Sequence, residues 1–221
     1  MSDAGRRLDA FWHATPLHYA PHVLLLGCLL SQARLEVLRL PIRPRATARR
    51  RDRQLGLDAF VHLSFTARTP LLADKRAKGF PHVLFEFDPA VADLPGAAFL
   101  PFNAKAWRHR DDFAPIRAPG EKAAFLEAWR RGRRFPSAEL LVPGEVPLAG
   151  LARALHTAGD AETGWLCALQ DGLELSGGPP IRASPARFPP GVAADLGPHE
   201  RYRHACLEAG RLLPPPDLPF D

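Results

Sequence analysis

Arg134-Phe135-Pro136-Ser137-Ala138-Glu139-Leu140-Leu141-Val142 joins an arginine-rich turn to an apolar strand and sets one carboxylate, Glu139, at the strand's mouth. A carboxylate on the first rungs of a buried strand costs free energy unless something uses it. Two sets of partners lie far upstream: the strand-like Ala10-Phe11-Trp12-His13-Ala14-Thr15 and the basic cluster Arg49-Arg50-Arg51-Asp52-Arg53. A histidine, an arginine and a glutamate in that chain order suit a site that holds an anionic dinucleotide and acts on a glycosidic bond.

Short strands and short helices alternate on either side of this stretch. Upstream, residues 9–15 read as a strand, and Thr15-Pro16 opens a helix through Leu26 with Gly27 at its C-terminal cap and Pro21 limiting its regular part. Leu40 to Gly56, with its prolines and arginines, reads as a charged loop. Ala59 to Phe65 and His82 to Asp88 read as strands, the second stopped by Pro89, and Pro70 to Lys78 as a short helix. Ala98 to Leu100 is a short strand, and Pro119 to Arg131 is a helix with Glu121 in its first turn. Downstream, Pro147 to Leu155 reads as a short helix, Ser176 to Pro190 as extended chain and His199 to Leu212 as a final helix. This interleaving predicts an α+β fold: a split or curved antiparallel sheet flanked by short helices.

At 221 residues the chain can bury one core, and its 46% apolar and 24% charged content lies in the globular range. A net charge of +5 is compatible with a polyanionic partner. Only four of the 29 basic residues are Lys, so the clustering of arginines carries more information than their number. Cys28, Cys167 and Cys206 are odd in number and widely spaced, which reads as reduced thiols rather than a disulfide frame or a zinc site. The longest apolar run, Val23 to Leu30, is too short to span a bilayer, and the N-terminus lacks a signal-peptide pattern, so a soluble cytoplasmic protein without membrane contact is expected.

Several chemistries are disfavoured. His18 and His22 have i,i+4 spacing but no third ligand nearby, so no metal is expected. There is no GxSxG elbow, no phosphate-binding Walker loop and no GxGxxG. A dinucleotide bound here is therefore not bound by a Rossmann fold. His13, Arg51 and Glu139 remain, each of which has a purely structural reading when taken alone.

Together these segments resemble the DarT family of bacterial DNA ADP-ribosyltransferases. Trp12-His13-Ala14-Thr15 is similar to the family's Tyr-His-x-Thr opening, and the turn Gly27-x-Leu29-Leu30-Ser31 follows it. Arg50-Arg51-Asp52-Arg53 resembles an Arg-Arg-x-Arg loop. Phe60-Val61-His62-Leu63-Ser64-Phe65-x-x-Arg68-Thr69-Pro70-Leu71-Leu72 resembles a Tyr-Val-Pro-Phe-Tyr-Phe-x-x-Arg-Ser-Pro-Met-Leu block, with Ser64 where the block has Tyr. Ala138-Glu139-Leu140-Leu141-Val142 is similar to the Ala-Glu-Phe-Leu-Val run that bears the catalytic glutamate. The likeness covers roughly residues 10–155 and rests on the order and spacing of four motifs.

The resemblance implies an ADP-ribosyltransferase-like catalytic domain over residues 1–157, with 158–221 a Pro-rich extension carrying a final helix packed on the same domain. It implies NAD as co-substrate, a nucleobase in single-stranded DNA as acceptor, a toxin role in a toxin–antitoxin or phage-defence system, and a macrodomain antitoxin as partner. Glu139 would be catalytic: holding a ribose hydroxyl, stabilising an oxocarbenium ion, or taking the proton from the incoming base. Arg51 would clamp the pyrophosphate. His13, Thr15, Leu30, Ser64 and Phe65 would contact NAD, and Arg45, Arg49, Arg53, Trp107 and Arg108 the DNA. The rival readings are an enzyme of this fold acting on RNA, protein or a small molecule, and a catalytically silent nucleic-acid-binding module.

Overall fold

The computed structural model describes residues 8–40, 46–102, 114–131 and 137–215, apart from the side chains of residues 46–49 and 51. The chain runs β1 (Phe11–Pro16), α1 (Ala20–Leu26), β2 (Cys28–Leu30), α2 (Gln32–Val37), α3 (Ala46–Leu55), β3 (Phe60–Ser64), α4 (Pro70–Ala77), β4 (His82–Phe87) and β5 (Ala98–Leu100). It continues through α5 (Pro119–Arg130), β6 (Glu139–Pro143), β7 (Glu145–Pro147), β8 (Ala152–Thr157), α6 (Asp160–Gly172), β9 (Ile181–Ala183) and α7 (Gly197–Ala209). Local chemistry fixes many of these ends. Gly27 takes the left-handed conformation (φ 67°) that stops α1, Ser31 caps α2, and Thr69 caps α4 with Pro70 in its first turn.

The seven-stranded central sheet has the order β5-β6-β3-β1-β4-β8-β9, antiparallel except for the β8–β9 edge, while β2 and β7 form a separate ribbon. Six residue pairs join β1 to β4 and five join β3 to β6. Among the described residues one pair, Trp12 with Ser64, joins β1 to β3. Beyond that rung the two strands diverge, and the sheet splits through its middle, as the alternation of elements predicts.

Successive strand residues face opposite sides, and here they separate a large core from two small ones. One face buries Phe11, Phe85, Phe87, Phe99 and Leu140 beneath Val23 and Leu24 of α1, Phe125 of α5, Trp165, Leu166 and Leu169 of α6, and Tyr202 and Cys206 of α7. The other face carries Trp12 and Leu84 under Leu72 of α4 and Phe188, and separately Leu100 and Leu141 under Leu55 and Leu57 at the end of α3. Polar residues fill the gap between those two smaller clusters.

Two sequence expectations are corrected. Pro147 to Leu155 is not a helix: β7 ends at Pro147, a turn containing Gly150 (φ 72°) follows, and Ala152–Thr157 pairs with β4. The helix-forming composition of that stretch yields to a ladder with a strand some 70 residues earlier. Leu40 to Gly56 is not loop throughout, because Ala46–Leu55 is helical and stops at Gly56 (φ 69°). Arg, Gln and Ala are good helix formers, and Leu55 anchors the last turn in the core. A further helix, α6, was not anticipated; Trp165 lies in its middle, and its Nε1–H donates to the His199 carbonyl of α7 at 2.9 Å. No helix among the described residues is long and apolar enough to cross a membrane.

Candidate active site

One row of residues crosses the sheet at the split. Leu100 is opposite Glu139, Glu139 opposite Ser64, Ser64 opposite Trp12, and Trp12 opposite Glu86. Directly opposed residues share a face, so Glu139, Ser64, Trp12 and Glu86 line the polar gap between the two small apolar clusters. Glu139 opens β6, and its side chain is 20% exposed, low enough to be held and high enough to be reached.

His62, two residues along β3 from Ser64, meets Glu139 diagonally. Its Nδ1 lies 3.0 Å from Glu139 Oε2 and its Nε2 3.2 Å from the Leu57 carbonyl. Burial alone would lower the His62 pKa, but the hydrogen bond and charge of Glu139, with the charge of Asp52, raise it to about 9. The ring is therefore an imidazolium at neutral pH, donating from both nitrogens. Asp52, on α3, is half-buried; burial raises its pKa, and Glu139 and Asp58 add to that against the pull of His62.

On the other side of the split, His13 Nδ1–H donates to the His62 carbonyl at 3.0 Å. Burial holds the His13 pKa down, so the ring is neutral with Nε2 left as an acceptor. Thr15 is buried further along β1, opposite Val83. The structure thus gathers His13, Ser64 and Glu139 around the split, through a histidine that the sequence reading passed over. Its signal was available: on a strand, His62 must share a face with Ser64.

Other candidates lie elsewhere. Leu30 is half-buried in the β2–β7 ribbon opposite Glu145. Phe65 is 4% exposed on the large-core side, within 5.5 Å of the rings of Phe11, Phe99, Phe125 and Trp129. It packs as a core residue, on the opposite side of the chain from its neighbour Ser64. Arg53 pairs with Glu36, tying α3 to α2. Arg51 lies on α3 immediately before Asp52. Its side chain is outside the described residues, as are Arg45, the side chain of Arg49, Trp107 and Arg108.

The far flank of the row is a second polar group. The Arg187 guanidinium sits 4.7 Å from the centre of the Trp12 ring and 3.6 Å from Glu86. Burial lowers the pKa of His156, so its neutral ring donates from Nε2 to Glu86 at 2.7 Å and accepts the Ser184 hydroxyl at Nδ1, 2.9 Å away. The segment around β9 is thereby fastened to the face that carries the site. Among the described residues no group of His, Cys, Asp and Glu is placed to hold a metal ion.

The fold as a whole has counterparts of known structure. The chain is similar to Thermus sp. 2.9 DarT in complex with ADP-ribosylated ssDNA, with a TM-score of 0.64 and 14% identity over 86% of this chain and 100% of that one. Thermus sp. 2.9 DarT in complex with NAD+ gives 0.60 and 15%, over 83% and 99% of the two chains. Thermosipho africanus DarTG in complex with ADP-ribose gives 0.61 and 16%; 81% of this chain matches 51% of that one. No family model and no curated protein matches the sequence. The chain has the DarT-type ADP-ribosyltransferase fold.

Proposed function

We propose that this protein is an NAD-dependent ADP-ribosyltransferase that modifies a nucleobase in single-stranded DNA. The observation that carries the reading is Glu139: a carboxylate at the split of a DarT-like sheet, fixed by His62 and facing a gap lined by Ser64 and Trp12. Two solved neighbours support the choice of substrates, one in complex with NAD+ and another with ADP-ribosylated ssDNA.

The chemistry follows from the residues. Breaking the nicotinamide–ribose bond sends the bonding electrons to the nicotinamide nitrogen and leaves positive charge on the ribose C1′ and ring oxygen. A carboxylate beside that charge stabilises it electrostatically. The base nitrogen of the acceptor then bonds to C1′ and loses its proton, which Glu139 is the nearest candidate to accept. Neutral His13 presents an acceptor nitrogen suited to a ribose hydroxyl, and Arg51 serves as the pyrophosphate clamp. Thr15 and Leu30 complete the NAD site, and Arg45, Arg49, Arg53, Trp107 and Arg108 contact the strand. The biological role is that of a cytoplasmic toxin in a toxin–antitoxin or phage-defence system, its mark removed by a macrodomain antitoxin.

The test is incubation of the purified protein with NAD and a random-sequence single-stranded DNA pool, followed by mass spectrometry. A DNA mass gain equal to one ADP-ribose, absent with Glu139→Ala, is the expected result. Free nicotinamide without DNA modification moves the acceptor to RNA, protein or a small molecule. Neither product, with DNA binding indifferent to Glu139→Ala, replaces the enzyme reading with that of a silent binding module.

A further inference from the structure

We propose that His62 is a positioning residue for Glu139: anchored on the Leu57 carbonyl, its ring holds one carboxylate oxygen and links Glu139 mechanically to His13. The inference rests on the function proposed above and adds to it a residue that no motif marks. In the family block quoted earlier this place is a proline, whose ring offers neither a donor nor a charge.

The geometry constrains the ring's protons. A carbonyl can only accept, so Nε2 must carry a proton to bond Leu57 at 3.2 Å. A neutral ring would then point a bare Nδ1 lone pair at Glu139 Oε2 from 3.0 Å, which is repulsive. With Glu139 present as a carboxylate, both contacts are favourable together only when both ring nitrogens carry protons. His62 is the centre of a chain of three contacts: His13 to the His62 carbonyl, the His62 ring to Glu139, and the same ring to Leu57. Rotating the Glu139 side chain away from the split breaks a charge-assisted hydrogen bond, so the carboxylate is held ready before any substrate arrives. Glu139 Oε1 has no protein partner among the described residues and is the oxygen left for the sugar.

The charged and titratable groups acting on His62 are Glu139 from β6, Asp52 from α3 and His13 from β1. The two carboxylates outweigh the one neutral histidine, and the imidazolium persists well into the alkaline range. When it finally loses its proton, one of the two ring contacts must go, and Glu139 is released from its orientation.

The experiment measures kcat and KM for nicotinamide release across about pH 6 to 10.5 in wild type, His62→Gln and His62→Ala. Wild-type kcat is expected to fall as pH rises through about 9. His62→Ala should lose roughly 10- to 100-fold in kcat with KM changed less than about threefold, the pattern of a lost transition-state interaction. His62→Gln, whose amide donates to Glu139 without titrating, should recover at least about a third of wild-type kcat and lack the alkaline fall. His62→Ala within about threefold of wild-type kcat, or an alkaline fall unchanged in His62→Gln, overturns the positioning role. NMR titration of the His62 ring gives a reading that is independent of turnover. A pKa that stays put in Glu139→Gln overturns the pair itself; one that drops by at least about one unit supports it. Wild type that releases no nicotinamide under any condition removes the proposed function and the positioning role with it, whereas an active wild type with indifferent His62 variants removes only the latter.

Discussion

Phe65→Ala separates a core aromatic from a ligand contact. The ring is 4% exposed, meets Phe11 edge-on at 4.9 Å and 79°, and lies 5.2 to 5.5 Å from Trp129, Phe99 and Phe125. Deleting a buried phenyl costs about 3–5 kcal/mol, the spread reflecting how far the site can collapse. Four rigid aromatic neighbours on β1, β5 and α5 cannot close over the void, so the upper end applies, about 4–5 kcal/mol. For a chain of this length about 2–4 °C of melting temperature goes with each kcal/mol, giving a fall on the order of 10–15 °C. The assay is thermal unfolding by circular dichroism, paired with NAD titration calorimetry on Phe65→Leu, which keeps most of the apolar volume. Phe65→Leu should bind NAD within about threefold of wild type while melting lower. Phe65→Ala that melts within about 3 °C of wild type, together with weak NAD binding by Phe65→Leu, would falsify the assignment and return Phe65 to the binding site.

Glu139→Gln should lower nicotinamide release by about 10²–10³-fold, and Arg51→Ala by about 2–3 kcal/mol of transition-state stabilisation; single-turnover kinetics with NAD measures both. Because the folded His62 pKa is raised to about 9 from 6.5, its stabilising contribution is whole below about pH 6.5 and is lost as pH rises through 9. Urea unfolding at the two ends of that window should therefore show wild type losing up to about 3 kcal/mol relative to His62→Gln, less after screening by solvent. At Gly191 an added Cβ would sit 2.5 Å from the Arg76 carbonyl oxygen, a backbone atom that cannot step aside. Gly191→Ala should cost about 1–3 kcal/mol and speed limited proteolysis after β9, since Val192 N–H also bonds that carbonyl.

Strands with strong apolar runs were legible because their burial needs no knowledge of the partner: β4 is buried at five of its six positions and was read to within a residue. Pro147–Leu155 failed for the opposite reason. Its local composition favours helix, and only the β4 ladder, invisible in one sequence, makes Ala152–Thr157 a strand. The arginines of α3 hid a helix because charge density was given more weight than propensity. Near Glu139, His62 was not legible as a neighbour, since its place comes from register: Ser64 opposite Glu139 sets His62 on the diagonal. Strand alternation would also have set Ser64 and Phe65 on opposite sides of the chain. The run Trp165, Leu166, Leu169 has the spacing of a buried helix stripe and could have announced α6.

The single rung between β1 and β3 makes the sheet two plates meeting along a narrow line. Among the described residues the diverging edges share no further ladder pair, and the His62 carbonyl there is held by a side chain, His13, so these edges should be the least protected in the sheet. Hydrogen exchange should be fastest there and slowest within the β1–β4–β8 and β3–β6 halves, where ladders and the large core act together. Past the Trp12–Ser64 rung, the His13 ring on the His62 carbonyl is a side-chain tie across the line. The fold thus sets a continuous ladder on each side and its weakest backbone pairing along the line where Glu139 and Trp12 stand.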